Sequence, residues 1–146
     1  MRGPGCIQSG SQAWVELTCM FQHSYSEREQ LDLKWYYSND EEPFLQWLPS
    51  SGREPQIRGQ RFSSSITVRH LVKNTTTDQR VEQVLRLEQP TTLLSGEYHC
   101  RVATFTHEER RSHRMTVFGR NMVKVISDCR GYSRPRCWSS ATVSRG

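Results

Sequence analysis

Apolar and polar residues alternate along several short stretches of this chain. Three stretches show the alternation most clearly, at residues 14–21, 31–37 and 98–102. A period of two residues is typical of a β-strand with one buried face and one exposed face. The sequence therefore predicts strands whose inward side chains are Val15, Leu17, Cys19, Phe21, Leu31, Leu33, Trp35, Tyr37, Tyr98, Cys100 and Val102.

Further strands are predicted at residues 44–48, within 62–72, at 81–87 and up to Val117, while residues 107–111 are expected to form a charged hairpin tip. No stretch repeats apolar residues with the 3.6-residue period of a helix. Many short strands separated by turn residues predict an all-β sandwich or barrel. We expect a β-domain at 13–118, an irregular N-terminal segment at 1–12 and a basic, flexible tail at 119–146. A first strand is poor or missing in this interpretation, so one sheet edge is expected to lie unprotected.

Four residues on the inward faces stand in an informative order. Cys19 lies on the first predicted strand, Trp35 on the second, and Cys100 on a late strand with Tyr98 two residues before it. This order is the signature of the immunoglobulin fold. Residues 13–118 thus resemble the immunoglobulin superfamily, and the 81-residue spacing of the two cysteines favours the variable type.

The resemblance implies an immunoglobulin-like Greek-key β-sandwich. In such a fold a disulfide, here Cys19–Cys100, joins two sheets packed about 10 Å apart, and a Trp ring, here Trp35, packs on the sulfurs. The Tyr98 hydroxyl is expected to hydrogen-bond to backbone just upstream. Closing a loop of this length restricts the unfolded chain by roughly 4–5 kcal/mol in the entropy model.

A narrower resemblance rests on three segments: Leu33–Tyr36, Phe44–Pro49 and Leu94–Cys100. Together they are similar to arthropod beaten-path-like neuronal surface proteins. That family is secreted or membrane-anchored, binds other surface immunoglobulin proteins and acts in axon guidance and cell adhesion. The resemblance implies an extracellular recognition domain whose partner is another cell-surface protein of the immunoglobulin superfamily, with a homodimer or heterodimer left open. The alternative on the same fold is a soluble immune-type domain that binds a soluble ligand.

The positive charge of the chain is concentrated in its last third. Residues 101–146 hold 10 of the 20 Lys and Arg but three of the 15 Asp and Glu, and the net charge is +5. A basic tail is usually a solvated, mobile end, although an anionic cell-surface or lipid partner is the sharper alternative. Because the excess lies outside the predicted core, we infer no nucleic-acid partner.

Five cysteines in a chain of 146 residues indicate an oxidising compartment. The sequence shows neither the roughly 20 consecutive apolar residues of a transmembrane helix nor the apolar centre of a signal peptide. We therefore expect an extracellular protein whose leader is removed or missing from this sequence. Asn74 begins an N-x-Thr acceptor pattern and is the predicted glycosylation site.

Three cysteines remain after the predicted bond between the sheets. Cys129 and Cys137 could pair with each other, or either could pair with Cys6 or with another chain. Because five is odd, one thiol is left over. The spacing of Cys129 and Cys137, without a nearby His, does not supply four zinc ligands.

No catalytic motif, cofactor motif or metal motif is recognisable, so the chain is expected to bind rather than to catalyse. His107-Glu108-Glu109 lacks the second His and the helix of a zinc protease. The predicted partner-binding surface is the outer face of one sheet, because residues next to inward ones point outward. An exposed set rich in Tyr, Trp and Arg is typical of interface hot spots, and the members predicted here are Lys34, Tyr36, Trp47, His99 and Arg101. The alternative is that Trp47 covers the sheet edge and Tyr36 is ordinary surface.

Overall fold

The computed structural model describes residues 1–24, 29–59, 62, 66–119 and 129. Within these ranges the chain forms nine β-strands, and short 3-10 turns lie at Pro49–Ser51 and Thr92–Leu94, with no α-helix. The prediction of an all-β protein is confirmed. The strands are β1 (Cys6–Gln8), β2 (Trp14–Ser24), β3 (Asp32–Tyr37), β4 (Leu45–Trp47), β5 (Gln56–Ile57), β6 (Ile66–Asn74), β7 (Asp78–Glu88), β8 (Gly96–Ala103) and β9 (Glu108–Phe118).

The described strands form two sheets. The large sheet has the order β1-β9-β8-β3-β4-β5, and the small sheet has the order β2-β7-β6. The longest pairing joins β2 to β7 from Trp14 opposite Glu88 to Ser24 opposite Asp78. All described pairings are antiparallel except that of β1 with β9, which is parallel.

One hydrophobic core lies between the two sheets and explains the alternation in the sequence. Along β2 the inward positions are buried and the intervening ones are partly or fully exposed. The same core takes buried side chains from β3, β8 and β9 of the large sheet. Its fully buried members include Leu17, Leu33, Trp35, Leu45, Leu85, Leu87, Tyr98 and Met115. Burial of this apolar surface is what holds the two sheets together.

The expectation of an irregular segment at residues 1–12 is wrong in part, because β1 lies within it. Arg2 forms an isolated bridge with Thr18 on β2, and residues 6–8 then pair with β9. The N-terminal segment therefore contacts both sheets and covers part of the edge that was expected to lie open. A three-residue strand between Gly and Ser residues has too little alternation to be recognised from sequence.

The charged hairpin tip expected at residues 107–111 is also misplaced. The chain turns at Thr104–His107, where the Thr104 N–H donates to the His107 carbonyl at 2.8 Å. Glu108 already belongs to β9. Because the first half of β9 is exposed, its charged side chains lack the apolar alternation that reveals a strand.

The predicted tail at 119–146 lies outside the described residues except for Gly119 and Cys129. Cys129 is bonded to Cys6, with their Cα atoms 5.8 Å apart. The pairing of Cys129 with Cys137 is therefore wrong, and Cys137 lies outside the described residues. Cys6, Phe118 and Cys129 form a second small cluster of buried residues, here called the edge cluster.

The edge cluster lies on the outer face of the large sheet. Ile7 and Val117 are paired neighbours whose side chains enter the main core. Successive side chains of a strand point to opposite faces, so Cys6 and Phe118 point away from that core. No helix within the described ranges is long and apolar enough to cross a membrane.

Candidate functional site

The rigid support for any binding surface is the centre of the main core. Cys19 of the small sheet and Cys100 of the large sheet are joined by a disulfide with a Cα–Cα distance of 6.3 Å. Cys100 lies directly opposite Trp35 in the pairing of β8 with β3. Trp35 is completely buried. The bond and the indole ring therefore occupy neighbouring positions in the core, as predicted.

A buried polar chain runs outward from Trp35. The Trp35 Nε1–H donates to Gln83 Oε1 at 2.7 Å, and this fixes the orientation of the Gln83 amide. The amide nitrogen of Gln83 then lies 2.7 Å from Nε2 of His70. An amide nitrogen can only donate, so His70 Nε2 must accept and must carry no proton. Burial lowers the pKa of His70, with a smaller opposing effect of Glu54.

Tyr98 fixes the corner before β8. It is fully buried, and its hydroxyl donates to the Leu94 carbonyl at 2.6 Å, as the sequence predicts. The Tyr37 hydroxyl donates to the neighbouring carbonyl of Ser95. These two bonds hold the turn at residues 92–94 against the large sheet, so the start of β8 is well positioned.

The outer face of the large sheet carries four of the five predicted binding residues. Lys34 lies opposite Arg101 and Gln46, and Tyr36 lies opposite His99. Directly opposite residues share a face. The pairing of β8 with β9 adds Arg110 and Ser112 to the same face, two positions that the sequence did not single out because β9 was misplaced. These residues are called the sheet face below: Lys34, Tyr36, Gln46, His99, Arg101, Arg110 and Ser112.

Tyr36 has the predicted orientation but not the predicted exposure, since it is only 8% exposed. The Arg110 guanidinium carbon lies 5.7 Å from the centre of its ring. Arg101 is held by Glu108, which raises the pKa of Arg101, and Tyr36 contributes to the same shift. Tyr36 is therefore the base of the sheet face, and Arg110 covers its ring.

Ion pairs on the outer face of the large sheet join neighbouring strands or lie within a single strand. Arg101 contacts Glu108 at 2.8 Å, and this hydrogen bond lowers the pKa of Glu108. Elsewhere Lys34 contacts Asp32 at 3.3 Å, and Arg114 contacts Glu97 at 3.6 Å. Exposed pairs of this kind stabilise a fold by at most about 1 kcal/mol. They can therefore exchange partners at little cost when another charged surface approaches.

Trp47 does not belong to this face, so its predicted place there is wrong. It packs against the main core and stacks on His70 of the small sheet, with ring centres 3.7 Å apart. Gln46 points outward instead, beside Lys34, and its amide donates to Asp32 Oδ1 at 3.2 Å. The continuous apolar run at residues 44–48 has no clear alternation and left the direction of Trp47 open.

Asn74, the predicted glycosylation site, is the last residue of β6 and is exposed. Its Oδ1 accepts a hydrogen bond from the Gln79 amide at 2.9 Å. That contact does not use Nδ2, the atom to which an N-linked glycan is attached. The position is thus sterically suited to a glycan, and its occupancy stays a prediction.

In the part of the chain that the structure describes, no group of three or more His, Cys, Asp or Glu residues is placed to hold a metal ion. A scan against protein-family models finds no match for this chain. A search of the curated proteins finds no significant similarity. The function must therefore be argued from the fold and from the sheet face.

Proposed function

We propose that this chain is an extracellular recognition domain of the immunoglobulin type, which binds another cell-surface protein through the sheet face. The observation that carries the proposal is the Arg110 guanidinium over the Tyr36 ring, beside the Arg101–Glu108 pair, on the outer face of a disulfide-stapled sheet. Tyr and Arg are the residue types most often found at interface hot spots.

The strand order supports the immunoglobulin part of the proposal. In variable-type domains one sheet contains strands B, E and D, and the other contains G, F and C extended by C′ and C″. The small sheet β2-β7-β6 corresponds to the first set. The neighbouring strands β9-β8-β3-β4-β5 correspond to the second. In this correspondence the disulfide joins strands B and F, Trp35 lies on strand C, and Tyr98 lies on strand F two residues before Cys100, as is typical of the fold.

The cysteines support the extracellular part. Two disulfides join residues 81 and 123 positions apart in the sequence. Disulfides persist in oxidising environments and are rare in the cytosol. Both observations favour a secreted or surface-exposed protein, and the acceptor site at Asn74 agrees with this compartment.

The physical character of the sheet face favours a protein partner over a small molecule. The face is built on paired strands, and its charged groups are partly exposed and paired with neighbouring acidic residues. A surface that carries both positive and negative groups complements a second surface of mixed charge, which gives specificity and a faster association. We therefore propose a cell-surface protein of mixed charge, of the adhesion or axon-guidance type.

The test is a binding screen of the disulfide-bonded protein, displayed as a multimer, against cells that each express one cell-surface protein. We expect a partner whose affinity falls about tenfold or more for Arg101→Ala, the size of a hot-spot substitution. The matched control is Arg69→Ala. Arg69 pairs with Glu16 at 2.9 Å on the small sheet, much as Arg101 pairs with Glu108 on the large one.

Equal loss of binding in both variants, or unchanged binding in Arg101→Ala, would place the interface elsewhere. Binding of soluble ligands without any cell-surface partner would instead support the immune-type alternative. Free thiols at Cys19 and Cys100 in the secreted protein, found by a non-reducing peptide map, would contradict the extracellular assignment.

A further inference from the structure

A second candidate site lies at one end of the sandwich, away from the sheet face. Here β2 and β8 end and β3, β7 and β9 begin. A cleft of about 340 Å³ opens between the two sheets at this end. Its apolar lining comes from Phe21, Leu31 and Val102.

His23 breaks the apolar pattern of β2 within this cleft. It follows Val15, Leu17, Cys19 and Phe21 at an inward position, and it is only 6% exposed. Its Nδ1 lies 2.9 Å from the Ser24 carbonyl, while its Nε2 is buried and has no hydrogen-bond partner among the residues that the structure describes. Buried polar groups are nearly always paired, so an unpaired one in a cleft is a candidate ligand contact.

The hydrogen bond to Ser24 defines what His23 can recognise. A carbonyl oxygen only accepts, so Nδ1 must carry the proton. In the neutral imidazole Nε2 is then an acceptor, and it needs a donor from the ligand.

The charged residues of the cleft also favour a ligand that donates hydrogen bonds. Asp78 from β7 and Glu109 from β9 both line it. Both carboxylates already have a partner within the described residues, since Asp78 accepts from the Gln22 amide at 2.9 Å and Glu109 contacts Arg111 at 3.2 Å. Two carboxylates disfavour an anion, and they favour a cation with several donors.

We propose that this cleft receives a lysine side chain of a protein partner. An ammonium group has three donors and no acceptor, which suits the Glu109 carboxylate and His23 Nε2 within the cleft and the Asp78 carboxylate at its rim, where Asp78 lies opposite Ser24. The four-carbon stem of lysine packs on the apolar lining. The site is separate from the sheet face, so the two can be tested independently.

An exposed aromatic residue beside the cleft favours a polypeptide over a free amine. Phe105 is 86% exposed in the turn between β8 and β9, and its neighbours Thr104 and His107 line the cleft. Its backbone N–H donates to Gln30 Oε1 at 3.2 Å, which orients the turn. A peptide that inserts a lysine would also cover Phe105, whereas a small amine would leave it in water.

The test is an NMR titration of the full disulfide-bonded chain with the capped peptide acetyl-Gly-Lys-Gly-amide. We expect saturable shifts at amides near His23, Val102 and Glu109. The same peptide with norleucine in place of lysine keeps the stem but has no ammonium group, and we expect no saturation with it. Saturation by the norleucine peptide, or none by the lysine peptide, overturns the proposal.

Two variants locate the site. His23→Phe keeps an aromatic ring but removes the acceptor, and Asp78→Asn removes one charge while keeping an oxygen for Gln22. Each is expected to weaken binding about tenfold, the usual effect of losing one hydrogen bond to a charged group. Glu41→Gln removes one charge in the β3–β4 loop at the opposite end and is the matched control, for which we expect unchanged affinity.

Thermal unfolding of each variant checks that it is folded, and Asp78→Asn keeps the test valid if His23→Phe unfolds. Unchanged affinity in Asp78→Asn rejects the cleft as the site. Butylammonium binding as tightly as the lysine peptide contradicts the polypeptide part of the proposal. Loss of the cell-surface partner in Arg101→Ala, with lysine-peptide binding retained, supports two separate sites.

Discussion

The two disulfides of this protein lie in regions of very different construction. The bond Cys19–Cys100 is surrounded by buried side chains of both sheets. The bond Cys6–Cys129 lies in the edge cluster, where Phe118 is the other buried member among the residues that the structure describes. One bond reinforces a core that packing already defines, whereas the other fastens a short parallel strand and a late residue to a sheet edge.

From this difference we expect that loop length alone does not set what each disulfide contributes to stability. The entropy model predicts similar stabilisation for the two, with slightly more for the bond that closes the longer loop. Stabilisation also requires that the linked residues stay in place when the bond is absent. Core packing keeps Cys19 and Cys100 in place without their bond. At Cys6 the strand pairing that could do the same spans three residues of β1.

The largest effect is therefore expected from Cys19→Ala combined with Cys100→Ala. Loss of the loop constraint should lower the free energy of unfolding by about 4 kcal/mol. Urea unfolding followed by Trp fluorescence measures it. A loss below about 1 kcal/mol would contradict the view that this bond reinforces the main core.

A second prediction concerns the polar chain beside the same bond. Gln83→Leu keeps the volume but leaves the buried Trp35 N–H without an acceptor and His70 without its donor. We expect a loss of about 2 kcal/mol in the free energy of unfolding. Gln79→Leu is the matched control on β7, because Gln79 is buried but bonds to Asn74 at the end of the strand. An equal loss in both variants would show that the effect is not specific to the chain from Trp35.

The third prediction tests the edge cluster directly. Cys6→Ala combined with Cys129→Ala should lower the free energy of unfolding by about 1 kcal/mol, because β1 is a three-residue strand at a sheet edge and can detach before the rest of the sandwich unfolds. Hydrogen exchange should increase at residues 6–8 and remain slow in β2 and β7. A loss in the free energy of unfolding as large as that of the Cys19/Cys100 variant would show that loop length decides what each bond contributes.

The smallest expected effect is a pH dependence of the free energy of unfolding that arises in the main core and not in the edge cluster. Burial lowers the pKa of His70, so the unfolded chain takes up a proton more readily than the folded one. The stability that neutral His70 contributes is fully present above about pH 6.5, the ordinary pKa of a histidine in the unfolded chain. It is lost as the pH falls through the lower pKa of His70 in the folded chain. We expect His70→Gln to reduce this slope, and the variant lacking Cys6 and Cys129 to keep it, in urea titrations between pH 7 and 5.

The sequence predicts the main core well because one physical cause dominates there. Alternate burial along β2, β3 and β8 identifies Cys19, Trp35 and Tyr98 as inward residues. Burial of Tyr36 was not predictable, because a charged side chain, Arg110 of β9, covers its ring rather than an apolar one. The direction of Trp47 was ambiguous for a different reason, since a short run that is apolar throughout has no period.

The edge region was not predictable for reasons of its own. β1 has three residues, and its partner β9 is far away in the sequence, so no local pattern marks their pairing. Five cysteines permit several pairings, and the choice of Cys6 for Cys129 depends on that distant pairing. His23 looks like the start of a polar loop in the sequence, and only the structure shows that it occupies a core position.

The bond between Cys6 and Cys129 also determines how the protein responds to mechanical force. Tension applied to the two ends of the chain enters at Cys6, crosses the sulfur–sulfur bond and leaves at Cys129. The intervening residues, which include the main core and the sheet face, lie outside this load path. While this bond is intact, the residues between Cys6 and Cys129 cannot extend under such tension, and its reduction would allow them to extend.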